Sequence, residues 1–169
     1  MIILRIEMDT GRTPNKSIDK KTALAKAESF CAYQERSQQE VRDKLYSYGL
    51  KTAEVEELIS ELIGANFLNE ERFAIAYALG KFRIKKWGRL KIVAGLKNKR
   101  VPPGIINKAL RQIDAGLYFD TLQTLLKKKN AAVKESNHLK KKQKLLQYAA
   151  AKGFEKDLIF DILNSSDLL

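Results

Sequence analysis

The chain has 169 residues and a mass of 19.2 kDa, enough for one compact domain or a short array of small modules. Lys and Arg number 32 against 20 Asp and Glu, a net charge of +12, and 44% of the residues are hydrophobic; a core is possible, wholesale disorder is excluded and an anionic partner is favoured. One Cys and one His exclude an internal disulfide and a zinc site built from His and Cys ligands, and 3 Pro with 9 Gly suit a helical chain better than a turn-rich β protein.

Ile2–Met8 alternates loosely and predicts a short strand, with no apolar run long enough for a signal peptide or a membrane span, so a cytoplasmic location is expected. Asp9 to Lys21 is polar, carries Gly11, Pro14 and Asn15, and reads as a linker, giving an N-terminal arm over 1–21. From Thr22 onward the periodicity is helical. Leu24, Ala27, Phe30 and Cys31 share one face of a first helix. Ser37-Gln38-Gln39-Glu40 is a capping box opening a second, with Val41 and Leu45 inward and Gly49 as the stop. Thr52 opens a third, with a stripe of Val55, Leu58, Ile59, Leu62 and Ile63. Asn69 caps a fourth, whose first turn holds Glu70 and Glu71 as charges suited to the helix dipole. Gly88 separates it from a fifth with Ile92, Val93 and Leu96, and Pro102-Pro103 starts a sixth with Ile105, Ile106, Ala109, Leu110 and Ile113. Leu122, Leu125 and Leu126 mark a seventh, Leu145, Leu146 and Ala149 an eighth ending at Gly153, and Leu158, Ile159, Ile162 and Leu163 a ninth.

These nine helices fall into three similar triplets. Gly49-Leu50 aligns with Arg100-Val101 and Gly153-Phe154, at spacings of 51 and 53 residues. Apolar residues then recur in register, as Val41, Ile92 and Leu145, as Val55, Ile106 and Ile159, and as Ile59, Leu110 and Leu163. The expected fold is all-α, with three tandem three-helix repeats over 22–68, 69–114 and 115–169 in an elongated, curved arrangement, each with a small core supported by its neighbours.

Charge is uneven along this array. Residues 23–69 hold 5 basic and 8 acidic side chains, residues 70–114 hold 12 and 3, and residues 115–169 hold 10 and 6. The densest basic segment is Lys81 to Lys91. If the helix ran through Gly88, Lys81, Lys85 and Arg89 would form one i, i+4, i+8 stripe of like charges that calls for an anion, since little acidic charge stands nearby. The candidate nucleic-acid or partner site is therefore Lys81, Arg83, Lys85, Lys86, Arg89, Lys91, Lys99 and Arg100, with Trp87 as core or as a base-stacking ring. The lysine runs at 127–129 and 140–144 are weaker signals. Glu54, Glu56, Glu57 and Glu61 read as an exposed acidic face, His138 as surface and Cys31 as core. No phosphate loop, nucleophile constellation or carboxylate cluster stands out, and no catalytic residue, metal or cofactor is expected.

Arg36-Ser37-Gln38-Gln39-Glu40-Val41-Arg42-Asp43-Lys44-Leu45, Phe67-Leu68-Asn69-Glu70-Glu71-Arg72-Phe73-Ala74 and Gly88-Arg89-Leu90-Lys91-Ile92 resemble the RecX regulatory proteins of bacteria in order and spacing from about Ala23 to Ile113. The resemblance implies tandem three-helix repeats and a non-enzymatic protein that binds the RecA recombinase filament, mostly inhibits it, and contacts DNA; the expected partners are that filament with single-stranded and also double-stranded DNA, and the expected state is a monomer. The chain departs from the family pattern at Ala94-Gly95-Leu96, where an acidic residue usually precedes the Leu and Gly95 predicts a shorter or mobile fifth helix, and at Asn98-Lys99-Arg100-Val101, where a Lys-Gly-Ile-like turn is common. The alternative from a different class is a stand-alone DNA- or RNA-binding helical module.

Overall fold

The structure is a computed structural model that describes residues 18–165; the strand expected at Ile2–Met8 and most of the arm over 1–21 lie outside them. Among the described residues there are nine α-helices and no strand. They are α1 (Lys20–Tyr33), α2 (Gln38–Ser47), α3 (Thr52–Gly64), α4 (Glu70–Lys85), α5 (Arg89–Asn98), α6 (Pro103–Leu110), α7 (Ala115–Ala132), α8 (His138–Ala151) and α9 (Lys156–Ser165). None is long and apolar enough to cross a membrane. Helix α1 begins two residues before Thr22, because the Asp19 carboxylate accepts both the Thr22 N–H (3.0 Å) and the Thr22 hydroxyl (2.6 Å). The capping box at α2 is complete, with Ser37 Oγ accepting from Glu40 N–H and Glu40 accepting from Ser37 N–H.

The repeat register is written in the backbone. Gly49, Arg100 and Gly153 all have left-handed φ, at 82°, 58° and 93°. The residue after each one, Leu50, Val101 or Phe154, turns into the core. In the second and third repeats the turn closes identically: Val101 N–H donates to Leu96 O, and Phe154 N–H donates to Ala149 O. Arg100 holds without a glycine a conformation that costs an L-residue about 1–2 kcal/mol. Val55, Ile106 and Ile159 are buried, as are Ile59 and Leu163. Their counterpart Leu110 is only half-buried, because α6 ends there and Ala109 fills the inward position. Ile63, expected on the α3 stripe, is 44% exposed in the last turn of its helix.

Two cores run through the three modules. The first module is closed on itself by Ala23, Ala27, Cys31, Val41, Leu45, Val55, Leu58, Ile59 and Leu62. The second and third share one continuous core from Phe73 to Leu163. Within it the rings of Phe82, Tyr118 and Phe154 pack in a row, tilted by 35° and 40°, with centroids 5.6 and 5.0 Å apart.

The junctions follow a common rule: each module caps the second helix of the one before it. Helix α5 starts at Gly88, which has no side chain to cap with. Its free N–H groups go instead to the third module: Gly88 to Lys152 O (2.9 Å), Arg89 to Tyr118 Oη (2.9 Å) and Leu90 to Gly153 O (3.0 Å). The two backbones cross so closely that a Cβ on Gly88 would stand 2.3 Å from the Gly153 carbonyl carbon. At the other junction Glu70 of α4 accepts from Gln38 N–H (2.8 Å), capping α2 from the second module. Glu70 is thus a buried cross-module cap rather than a simple dipole charge. Burial pushes its carboxyl above the usual range, although the Gln38 N–H and Arg42 pull the other way.

Gly95 does not shorten its helix, since α5 and α2 both have ten residues. A Cβ there would lie 2.2 Å from Tyr77 Oη, so the missing side chain lets the tyrosine of α4 lie over α5.

Candidate nucleic-acid interface

The basic residues singled out in the sequence divide into two groups. Helix α4 stops at Lys85, and Lys86 takes a left-handed conformation at φ 54°, so Lys81, Lys85 and Arg89 form no continuous stripe. Arg83, Lys85 and Lys86 project from this helix end, exposed and without a carboxylate partner among the described residues. Trp87 follows, half-buried against the shared core. Lys81 and Lys91 lie over its ring, with ammonium-to-centroid distances of 5.0 and 4.9 Å. Lys91 also donates to Ala151 O (3.3 Å). Lys81 and Lys91 thus flank the indole, and Arg83, Lys85 and Lys86 add three exposed cations at the same helix end to form a cationic ridge.

Arg89 and Lys99 belong to the frame instead. Arg89 lies over the Tyr118 ring at 4.1 Å and faces Glu155 at 3.7 Å. Tyr118 Oη donates to Glu155 (2.7 Å) while accepting from Arg89 N–H. Burial lifts the Tyr118 hydroxyl far above the ordinary tyrosine range, so it stays protonated and able to donate. Lys99 reaches back to Glu40 of the first module (2.7 Å). Burial alone would raise the Glu40 carboxyl, but Lys99 and the Ser37 N–H hold it below its usual value. Acidic groups therefore do neutralise part of the basic segment, and they come from neighbouring modules. Arg100 is exposed at the α5–α6 turn, away from the α4 end in sequence and committed to a backbone role.

The acidic first module spends its charge in the same way. Glu35 pairs with Arg72 of α4, Glu40 with Lys99, and Glu56 with Arg42 through two bonds of 2.6 and 2.9 Å. Glu57 pairs with Lys20, and Glu54 accepts from Lys51 N–H at the start of α3. The first two pairs hold the first module against the second. Among the described residues no three His, Cys, Asp or Glu side chains converge as a metal site.

Models of the first, second and third RecX three-helix domains match residues 23–62, 69–110 and 117–163. The chain belongs to the RecX family. It is 28% identical over 145 residues to the regulatory protein RecX of Bacillus mycoides and 29% identical over 145 residues to that of Bacillus cytotoxicus, covering 86% of this chain and 53% of each relative. The chain thus spans about half the length of these curated RecX relatives. The crystal structure of RecX from Lactobacillus salivarius superposes with a TM-score of 0.81 at 26% identity, over 89% of this chain and 97% of that one. A second RecX crystal structure, at 20% identity and a TM-score of 0.78, covers 86% of this chain and 73% of its own and shows the shared fold.

Proposed function

We propose that this chain is a non-catalytic regulator of the RecA recombinase filament, mostly an inhibitor, that contacts DNA through the end of α4. The observation that carries the DNA contact is the group of Arg83, Lys85 and Lys86, three exposed cations with no carboxylate partner among the described residues, next in sequence to the half-buried Trp87. Unpaired cations gathered at one helix end gain when an anion neutralises them, and phosphate is the anion a recombination filament offers in quantity. Membership of a family of regulatory proteins supports the recombinase as the protein partner. A body of three modules in series suits a partner that is itself a repeating polymer, lying along its groove and bridging adjacent protomers.

The decisive experiment is a titration of the chain into pre-formed recombinase filaments on single-stranded DNA, with ATP hydrolysis as the readout. A filament regulator acts when chain molecules are far fewer than recombinase protomers. A stand-alone DNA-binding module acts only once it covers the DNA, and inhibition that required such coverage would overturn the reading.

A further inference from the structure

The net charge of the first module hides a segregated surface. Five of its seven glutamates, Glu35, Glu40, Glu54, Glu56 and Glu57, are engaged on α3 or at the second module. The groove between α1 and α2 is lined by Lys21, Lys26 and Lys44 together with the rings of Phe30 and Tyr48. Lys26 and Lys44 lie over the Tyr48 ring at 5.5 and 5.3 Å, and Lys44 stands 6.0 Å from the Phe30 centroid. All three lysines are exposed and both rings are half-buried. None of the three has an ion-pair partner among the described residues, whereas adjacent Lys20 is taken by Glu57.

We propose that this groove is a second binding site, for single-stranded nucleic acid, in which Lys21, Lys26 and Lys44 take phosphates and the Tyr48 ring stacks on a base as Lys26 and Lys44 swing off its face, the Phe30 ring being covered at 3.9 Å by the Arg36 guanidinium. It is separate from the α4 ridge and stands or falls without it. Cations alone would accept any polyanion. A half-exposed ring between them favours a ligand with a flat face beside every charge, which single-stranded nucleic acid supplies at each nucleotide. The chain's own N-terminal arm is a poor occupant, because residues 1–17 carry Arg5, Arg12 and Lys16 against Glu7 and Asp9 and would be repelled.

The test uses the full chain, a fluorescent oligothymidylate and anisotropy over a range of salt. K26E/K44E should bind about tenfold more weakly at low salt, with a log–log salt slope shallower by about 1.4, from two phosphate contacts at about 0.7 each. Y48L keeps the charges and should weaken binding about fivefold with the slope unchanged. An Arg83/Lys85/Lys86→Glu variant runs alongside, and circular dichroism confirms that each variant keeps its helicity. Loss of binding in K26E/K44E with full binding in the α4 variant upholds the groove and overturns the α4 contact. Unchanged affinity and slope in K26E/K44E overturn the groove. So does displacement of the oligonucleotide by polyglutamate at equal charge together with a silent Y48L, which would make it a site for acidic protein.

Discussion

Tyr118→Phe isolates the contact that joins the second and third modules. The substitution keeps the ring between Phe82 and Phe154 and removes only a hydroxyl, so no cavity beyond one oxygen is left. That hydroxyl accepts from Arg89 N–H at 2.9 Å and donates to Glu155 at 2.7 Å. The Glu155 side chain is one-third exposed, and water replaces most of what it loses. Arg89 N–H is different: it is a first-turn donor facing an interface, and no other acceptor is in place. A donor stranded in this way costs about 1–3 kcal/mol, and about 2 kcal/mol is the expected total. With a urea slope on the order of 2 kcal/mol per molar, the unfolding midpoint of the two-module body should fall by about 1 M. Equilibrium unfolding followed by Trp87 fluorescence reads this directly, since Trp87 packs on the same core. A midpoint shift below about 0.2 M would show that the hydroxyl is dispensable and that α5 is capped some other way.

Ile59→Ala should cost on the order of 2–5 kcal/mol by cavity creation, and the loss should fall on the first module's transition because Ile59 belongs only to that core; a uniform shift of all transitions would refute two separate cores. Glu70 has a raised folded pKa, so its contribution is fully present below the unfolded value near 4.5 and lost as pH rises through the folded value. Glu70→Gln should therefore gain stability relative to the unmodified chain as pH rises above 4.5, in chemical denaturation at stepped pH, and a constant difference would contradict the burial argument. Lys99→Glu sets two like charges against each other where a 2.7 Å pair now stands, and limited proteolysis should cut the 65–69 connection faster without loss of helicity.

The fold was largely legible because its signals are local. Capping at Ser37, Asn69 and Pro103 depends on residues within one turn, and the left-handed turns at Gly49 and Gly153 announce themselves by composition. Register carried the rest, since it located the same turn at Arg100 without a glycine. The site was less legible because its electrostatics are settled by residues far apart in the chain. Lys99 finds Glu40 across 59 residues, and Glu70 caps a helix 32 residues earlier. Neither pairing leaves a mark on local spacing. Gly95 misled for the same reason: its helix cost is local, while the Tyr77 hydroxyl that requires it comes from another helix.

This division alters which substitutions can test the DNA contact. Reversing Lys85, Arg89 and Lys91 together follows naturally from sequence density, yet Arg89 braces Tyr118 and Lys91 reaches the Ala151 carbonyl, so that variant would mix lost binding with a loosened joint. The side chains of Arg83, Lys85 and Lys86 make no such contact among the described residues, although Lys86 holds the left-handed end of α4, and their reversal to Glu should leave the stability read from urea unfolding within about 0.5 kcal/mol of the unmodified chain's, the usual range for surface changes. If each meets one phosphate of single-stranded DNA, the salt slope should flatten by about 2 in all. Recombinase inhibition should fall in parallel if the DNA contact positions the chain on the filament. A stable variant with unchanged slope and unchanged inhibition would strip the α4 ridge of a binding role. A lost slope with inhibition intact would instead place the recombinase contact on other surfaces, with the ridge serving DNA alone.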